Sequence, residues 1–236
     1  AMRDRFGAKN ERSWLMRTHV QTAGCSLTEQ QPLNNIVRVA YQAMAGVLGG
    51  CQSLHTDSMD ETLGLPTETA VRVALRTQQV LAHETGIHRT VDPLAGSYFV
   101  ESLTDQMEND ANSIIEEIDD LGGVVQGIHK GYFRRSIAEA SYRFGQEMEA
   151  GDRVIVGVNA YPDGNEEAQV ELLQIPHSVE TVQCERLDAF LKSRDDDKAM
   201  AALDAIREAA RNDENVMSSL VEASLSRCTL GEMVQA

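Results

Sequence analysis

Leu15-Met16-Arg17-Thr18-His19-Val20-Gln21 is a short run of strand character that gives way to a polar stretch over residues 22–31, then to Pro32 and a helical pattern ending near residue 48. Pro32 suits the first turn of a helix, Ile36, Val37, Ala40, Met44 and Val47 recur at helical spacing, and Gly49-Gly50 supplies the stop. The same order then repeats. Cys51-Gln52-Ser53-Leu54-His55-Thr56 reads as a second strand, followed by a loop to residue 65 and a helix over residues 66–85 that Gly86 ends. A third, weaker unit runs through Thr90-Val91-Asp92, turns at residues 93–96 and enters a helix over residues 98–121. Strand, loop and helix recurring at intervals of roughly 40 residues predict parallel strands joined by right-handed helical crossovers. Three such units do not close a barrel, and a doubly wound sheet fits the pattern equally, so the periodicity defines an α/β class and leaves the fold within it open.

The pattern changes after residue 122. Residues 130–150 read as a helix, and Arg153-Val154-Ile155-Val156-Gly157-Val158-Asn159 as an isolated strand, rich in β-branched residues and bounded by turn formers. A second short strand is expected over residues 170–175. From residue 178 onward the reading is helical, with Asp195-Asp196-Asp197 capping a helix that runs through Arg211. The expected division is therefore residues 3–121, built from βα units, and residues 122–236, a mainly helical extension with one or two short strands.

Charge follows the same division. The net charge is −16, yet residues 1–100 carry 9 Lys+Arg against 9 Asp+Glu and residues 101–236 carry 12 against 28. The balanced first part reads as core-forming, and the acidic second part as a solvated layer that repels nucleic acid; adaptation to high salt would produce the same acidity. Hydrophobic residues at 42% suffice for a globular core. No apolar run approaches the ~18 residues a membrane span needs, and no signal peptide opens the chain, so a cytoplasmic protein is expected. Cys25, Cys51, Cys184 and Cys228 are too scattered for a zinc or redox pair, and His83 and His88 lie five apart without metal-binding company, so no metal site is expected.

Uncharged polar residues crowd the strand-to-loop junctions: His19, Gln21 and Thr22 after the first strand, Gln52, Ser53, His55, Thr56 and Asp57 around the second, with Asp60 and Glu61 just beyond. In a parallel α/β protein the carboxyl ends of the strands share one side, which makes this the default ligand surface. The alternative is that these residues satisfy loop backbone and cap the following helices. No phosphate-cradling glycine loop, H-E-x-x-H or G-x-S-x-G is present.

Three longer stretches carry a resemblance. Residues 17–28 (RTHVQTAGCSLT) with Gln31-Pro32 and Asn34-Asn35, residues 47–61 (VLGGCQSLHTDSMDE) and residues 91–98 (VDPLAGSY) resemble signatures of the adenosylcobalamin-dependent acyl-CoA mutase family, most closely the large (alpha) subunit of the methylmalonyl-CoA mutase type. The resemblance implies the carboxy-terminal part of an eight-stranded α/β (TIM) barrel, about three parallel βα units, followed by a helical extension. It implies an acyl-CoA substrate in the barrel, adenosylcobalamin held against one end by a cobalamin-binding small subunit or domain, and a radical carbon-skeleton isomerisation such as (R)-methylmalonyl-CoA to succinyl-CoA.

Carried over position by position, the resemblance assigns Gln21, Gly24, Glu61, Gly64 and Leu65 to the cofactor, with Glu61 at the adenosyl ribose. Asp57 is added, where the family usually has asparagine. His19 and Gln52 are the substrate-side candidates. The cobalt-ligand motif D-x-H-x-x-G is absent from the chain and the early strands that bring the catalytic groups precede it, so no catalytic residue is assigned and a fragment inactive by itself is expected. Related mutases acting on hydroxyisobutyryl-CoA, isobutyryl-CoA or ethylmalonyl-CoA fit the same residues, and a non-catalytic acidic α/β binding or assembly module is the reading from another class. Open strand edges predict self-association.

Overall fold

The computed structural model describes residues 2–162, 164 and 172–236. Among them the chain forms two compact units, residues 1–173 and residues 174–236. The expected boundary at residues 121/122 falls inside the first unit.

The first unit contains a two-stranded parallel sheet, β1 (His19–Gln21) and β2 (Ser53–His55), in the register His19↔Ser53, Val20↔Leu54 and Gln21↔His55. The ladder is extended at each end, by Gln52 N–H donating to Thr18 O at 3.0 Å and Thr22 N–H to His55 O at 3.1 Å. The expected parallel pairing is present, with strands of three residues. Alternation along each strand puts His19, Gln21, Ser53 and His55 on one face and Val20 and Leu54 on the other.

Helix α1 (Asn34–Leu48) covers the Val20/Leu54 face. Its residues Asn35, Val39 and Ala43, four apart, are buried along one stripe. Gly46 lets it close on the sheet, since an added Cβ there would stand 3.0 Å from Val20 Cγ1 and 3.6 Å from Leu54 Cδ1. Helix α2 (Glu68–Glu84) starts where Thr67 accepts from the Ala70 N–H, buries Ala70, Ala74 and Leu81, and packs on α1. An apolar cavity of about 360 Å³ lies on this helix-covered side, lined by Val47, Leu54, Leu81, Ala82 and Ile87.

The third βα unit lacks its strand. Residues 90–92 form a bend, Val91 is exposed, and Asp92 takes a left-handed conformation (φ +46°) that breaks an extended run just before Pro93. Among the described residues two parallel βα units are therefore present instead of about three. The helix expected after it does form: α3 (Tyr98–Asp120), N-capped by the Ser97 hydroxyl, followed by α4 (Val124–His129) and α5 (Tyr132–Ala150).

Residues 153–159 are likewise not a strand. Asn159 folds back on its own loop, accepting from the Ile155 N–H at 2.7 Å and donating to the Arg153 and Met148 carbonyls at 2.7 and 3.1 Å. This local capture outcompetes a ladder and leaves a single bridge, Val156↔Ala160. The other expected strand, residues 170–175, begins outside the described residues; residues 172–175 carry no strand.

In the second unit α6 (His177–Lys192), α7 (Asp196–Arg211), α8 (Met217–Leu225) and α9 (Leu230–Gln235) follow one another. Asp195 caps α7 as expected, accepting from the Lys198 N–H. The core joins Ala199, Leu203 and Ile206 of α7 to Ala223 of α8 and to Cys228.

Candidate functional site

Beyond β1 and β2 the two loops are tied together by side chains. Asp57, its side chain 1% exposed, receives Gln21 Nε2 on Oδ1 at 3.0 Å and the Thr22 hydroxyl on Oδ2 at 2.9 Å. The Asp57 N–H in turn donates to Thr22 Oγ1 at 2.9 Å. Thr22 and Asp57 thus exchange two hydrogen bonds one step past the end of the ladder, where no strand could continue the pairing. Thr56 is anchored behind them, donating to Ala74 O at 2.8 Å and accepting from Gln78 Nε2 at 3.0 Å.

Asn35 stitches the same loops from the helix side. Buried, it donates to Thr28 O at 2.8 Å and Met59 O at 2.9 Å and accepts from the Thr28 N–H at 3.1 Å. Asp60, also buried, accepts from the Thr67 N–H and hydroxyl at 2.9 and 3.0 Å and so fixes the start of α2. Burial alone would raise the Asp60 pKa, but the nearby Ser58 hydroxyl and the Thr67 donors outweigh it and hold the carboxyl below its ordinary value.

These braces shape a small open surface. An added Cβ at Gly24 would lie 3.6 Å from Glu61 Cγ, 3.7 Å from Asp57 Oδ2 and 3.8 Å from Glu61 Oε1, so Gly24, Asp57 and Glu61 converge. Gln21 and His55 flank them on the open face, both exposed, with His55 Nε2 3.6 Å from Asp57 Oδ1. Glu61 is exposed and its carboxylate makes no hydrogen bond or ion pair within the described residues, in contrast to the engaged carboxylates of Asp57 and Asp60. Gly64, with open space around it, and the exposed Leu65 continue the loop.

The remaining candidates lie at the other end of the strands. His19 shares the open face with Gln21, and its Nδ1 hydrogen-bonds the Ser53 hydroxyl at 2.7 Å. Gln52 precedes β2, accepts from the Thr18 hydroxyl at 3.1 Å and donates to Gly50 O at 2.8 Å. It braces the amino end of the sheet and does not converge with Gln21 and Glu61. No group of three or more His, Cys, Asp or Glu residues suited to a metal ion occurs among the described residues. In the sequence Thr22 and Asn35 stand out only as part of a strand end and of a motif; their roles as braces depend on contacts 35 and 24 residues away.

Two parallel strands with helices on one side and a polar, partly open surface at their carboxyl ends define an α/β protein of the class that binds its ligand outside the strand ends. The family description "Methylmalonyl-CoA mutase" matches residues 1–236, and the chain belongs to that family. It is 46% identical over 236 residues to the probable mitochondrial methylmalonyl-CoA mutase of Caenorhabditis elegans, covering 100% of this chain and 32% of that protein. It is 46% identical over 232 residues to the methylmalonyl-CoA mutase of Escherichia coli K12 (98% of this chain, 32% of that protein). The mitochondrial human methylmalonyl-CoA mutase is 45% identical over 233 residues (98% and 31%). The resemblance carried by the three motifs is thus borne out across the chain, which spans about a third of the length of these relatives. No helix among the described residues is long and apolar enough to cross a membrane.

Proposed function

We propose that the chain is a segment of the substrate-binding barrel of an adenosylcobalamin-dependent acyl-CoA mutase that interconverts (R)-methylmalonyl-CoA and succinyl-CoA, contributing its later βα units and the extension behind them. The observation that carries this reading is the convergence of Gln21, Gly24 and Glu61 at the carboxyl ends of paired parallel strands, braced from behind by Asp57. The residues fit the cofactor. Glu61 holds an unengaged carboxylate, an acceptor pair suited to sugar hydroxyls. Gly24 and Gly64 leave room for a broad flat ring, and Leu65 offers it an apolar edge. Adenosylcobalamin, when bound, supplies the radical chemistry of the rearrangement.

The chain's own residues bind and orient. Glu61 would hold the adenosyl ribose and Gln21, with Gly24, the cobalamin-facing end of β1, while His19, steadied by Ser53 on the same open face, would serve the acyl-CoA side. Gln52 supports that surface through the amino end of β2. Neighbouring barrel strands would complete the wall and exclude water, which protects reactive species. The partners implied are the acyl-CoA, a cobalamin-binding small subunit or domain, and other copies of the chain at its open strand edges. The cytoplasm is the proposed location, although the names of the C. elegans and human relatives place those proteins in mitochondria.

The test has two arms. The chain alone, given adenosylcobalamin and methylmalonyl-CoA, is expected to form no succinyl-CoA, because most of the orienting wall is missing. In the complete subunit with its cobalamin-binding part, Glu61→Ala should weaken adenosylcobalamin binding by about tenfold or more, the loss of one charge-assisted contact. Turnover by the chain alone, or unchanged affinity in Glu61→Ala, would overturn the assignment.

A further inference from the structure

We propose that the loop over residues 153–161 is an outer latch on the loop that carries Gly24, and that Arg38 is the positioning residue joining the two. The ligand half of this proposal rests on the cofactor reading above.

Asn35, Arg38 and Gln42 follow one another along α1 at helical spacing and share one face of it. That face holds the loop over residues 22–31. Gln42 accepts from the Ala23 N–H and donates to the Ser26 hydroxyl oxygen, both at 2.6 Å. Asn35 binds the N–H and the carbonyl of Thr28, and Arg38 Nη1 donates to Thr28 Oγ1 at 2.9 Å and to Asn35 Oδ1 at 2.7 Å. Through Met59 O, Asn35 reaches the loop after β2 as well. The loop over residues 22–31 has no regular structure beyond the 3-10 turn Gly24–Ser26, so these side-chain bonds set its shape.

Arg38 also reaches outward. Its other terminal nitrogen, Nη2, donates to Val156 O at 2.8 Å, 118 residues further along the chain. All three of these acceptors are neutral, so what places the guanidinium is the match between its rigid fork and oxygens on both of its sides, which the single nitrogen of a lysine does not span. A second contact closes beside it. Gln31 Nε2 donates to Tyr161 O at 2.9 Å, and Gly157, at φ +83°, lies so near Gln31 that an added Cβ would stand 3.0 Å from its Cδ and Oε1. The latch is itself anchored: Asn159 closes its turn through Ile155 and Arg153 and fastens it to Met148 O near the end of α5. With the latch released, Arg38 loses one side of its fork and the loop over residues 22–31 spends less time in its braced form. A ligand that needs Gly24 in place then selects the competent fraction, and its affinity falls by that fraction.

Native-state hydrogen exchange on the 236-residue chain tests the latch in the wild type, before any variant is made. The Thr28 N–H, held by Asn35 Oδ1, and the Gly157 N–H, held by Ala160 O, should open together, with protection factors within about tenfold of each other. A wider gap overturns the proposal. Asn159→Ala removes the anchor of the latch without touching the loop over residues 22–31, and should quicken exchange of the Thr28 N–H about tenfold. Arg38→Lys, which keeps the charge and loses the fork, should do the same. An unchanged Thr28 rate in either variant overturns the proposal. In the complete protein Asn159→Ala should raise the Kd for adenosylcobalamin about fivefold and leave kcat at saturating cofactor within about twofold, because only the competent fraction has changed. An unchanged Kd, or a kcat that falls further at saturation, overturns the ligand half. Failure of the wild-type complete protein to bind adenosylcobalamin sinks that half together with the functional reading, and the exchange measurements tell the two failures apart because they need no cofactor.

Discussion

The two compact units bury different kinds of residue. In residues 174–236 the core of Ala199, Leu203, Ile206, Ala223 and Cys228 contains no charged group. In the first unit Thr22, Asn35, Thr56, Asp57, Ser58 and Asp60 are buried alongside Val39, Ala43, Ala70, Ala74 and Leu81. A helical hairpin needs only an apolar stripe on each helix, and the burial of nonpolar surface suffices to close it. Loops at strand ends have no ladder to hold them, so buried side chains must supply their hydrogen bonds. The unit that bears polar burial is therefore the unit whose loops have been given a defined shape, and that is where a ligand surface is expected.

The largest effect that can break this comparison is at Asp60. If its carboxylate is the brace that starts α2, Asp60→Ala leaves the partly buried Thr67 N–H and hydroxyl without their acceptor and should cost about 2 kcal/mol in chemical denaturation. A loss below about 1 kcal/mol would mean that the loop's polar burial is incidental to its stability.

How far this is legible in the sequence follows from where each signal sits. Helices with a local stop or cap, such as α1 before Gly49-Gly50 and α7 behind Asp195, can be read to within about two residues because cap and period lie next to each other. Strands are harder. Residues 90–92 and 153–159 have the composition of strands, but a left-handed Asp92 and the side chain of Asn159 give their backbones other partners. The location of the site is visible because polar residues follow the strands. Its internal order is not, since Thr22 and Asp57 meet across 35 residues with no local pattern to announce it. Gln52 groups with the strand ends by composition although β2 begins only at Ser53, which puts Gln52 at the opposite end of the sheet.

A smaller effect sharpens the contrast within the first unit between the braced sheet and the helices that follow it. Alanine favours a helix over glycine by about 1 kcal/mol, while overpacking a fitted contact costs about 1–3 kcal/mol. At Gly46 the added Cβ would meet Val20 Cγ1 at 3.0 Å, so Gly46→Ala should be net destabilising by about 1 kcal/mol. At Gly145 in α5 nothing lies within 4 Å, so Gly145→Ala should stabilise by up to about 1 kcal/mol. Thermal unfolding of the two variants side by side should give shifts of opposite sign. Equal signs would mean that α1 does not approach the sheet as closely as the Gly46 geometry requires.

The smallest effect belongs to the second unit, where the charges lie at the margin of an apolar core. Glu232 accepts from Arg194 Nη1 at 2.8 Å and from the Thr229 N–H at 2.8 Å within a capping box at the start of α9. The Arg194 hydrogen bond, then those from Thr229, depress its pKa from 4.5 to about 2. The folded state thus keeps the charge at a pH where the unfolded chain has already taken up a proton. The resulting stabilisation is complete above about pH 4.5, declines as the unfolded form protonates, and is gone below about pH 2. The side chain remains 30% exposed, so solvent screening reduces the contribution to about 1 kcal/mol or less. Glu232→Gln retains a group that can complete the capping box and removes only the charge. It should therefore flatten the acid limb of stability between about pH 4.5 and 2 for the transition that reports α7 to α9, while leaving the neutral-pH helix content unchanged. An acid limb of the same slope in wild type and variant would place the unit's pH dependence elsewhere, at a group such as the α7 cap Asp195, whose carboxyl the Lys198 N–H also holds below its ordinary value.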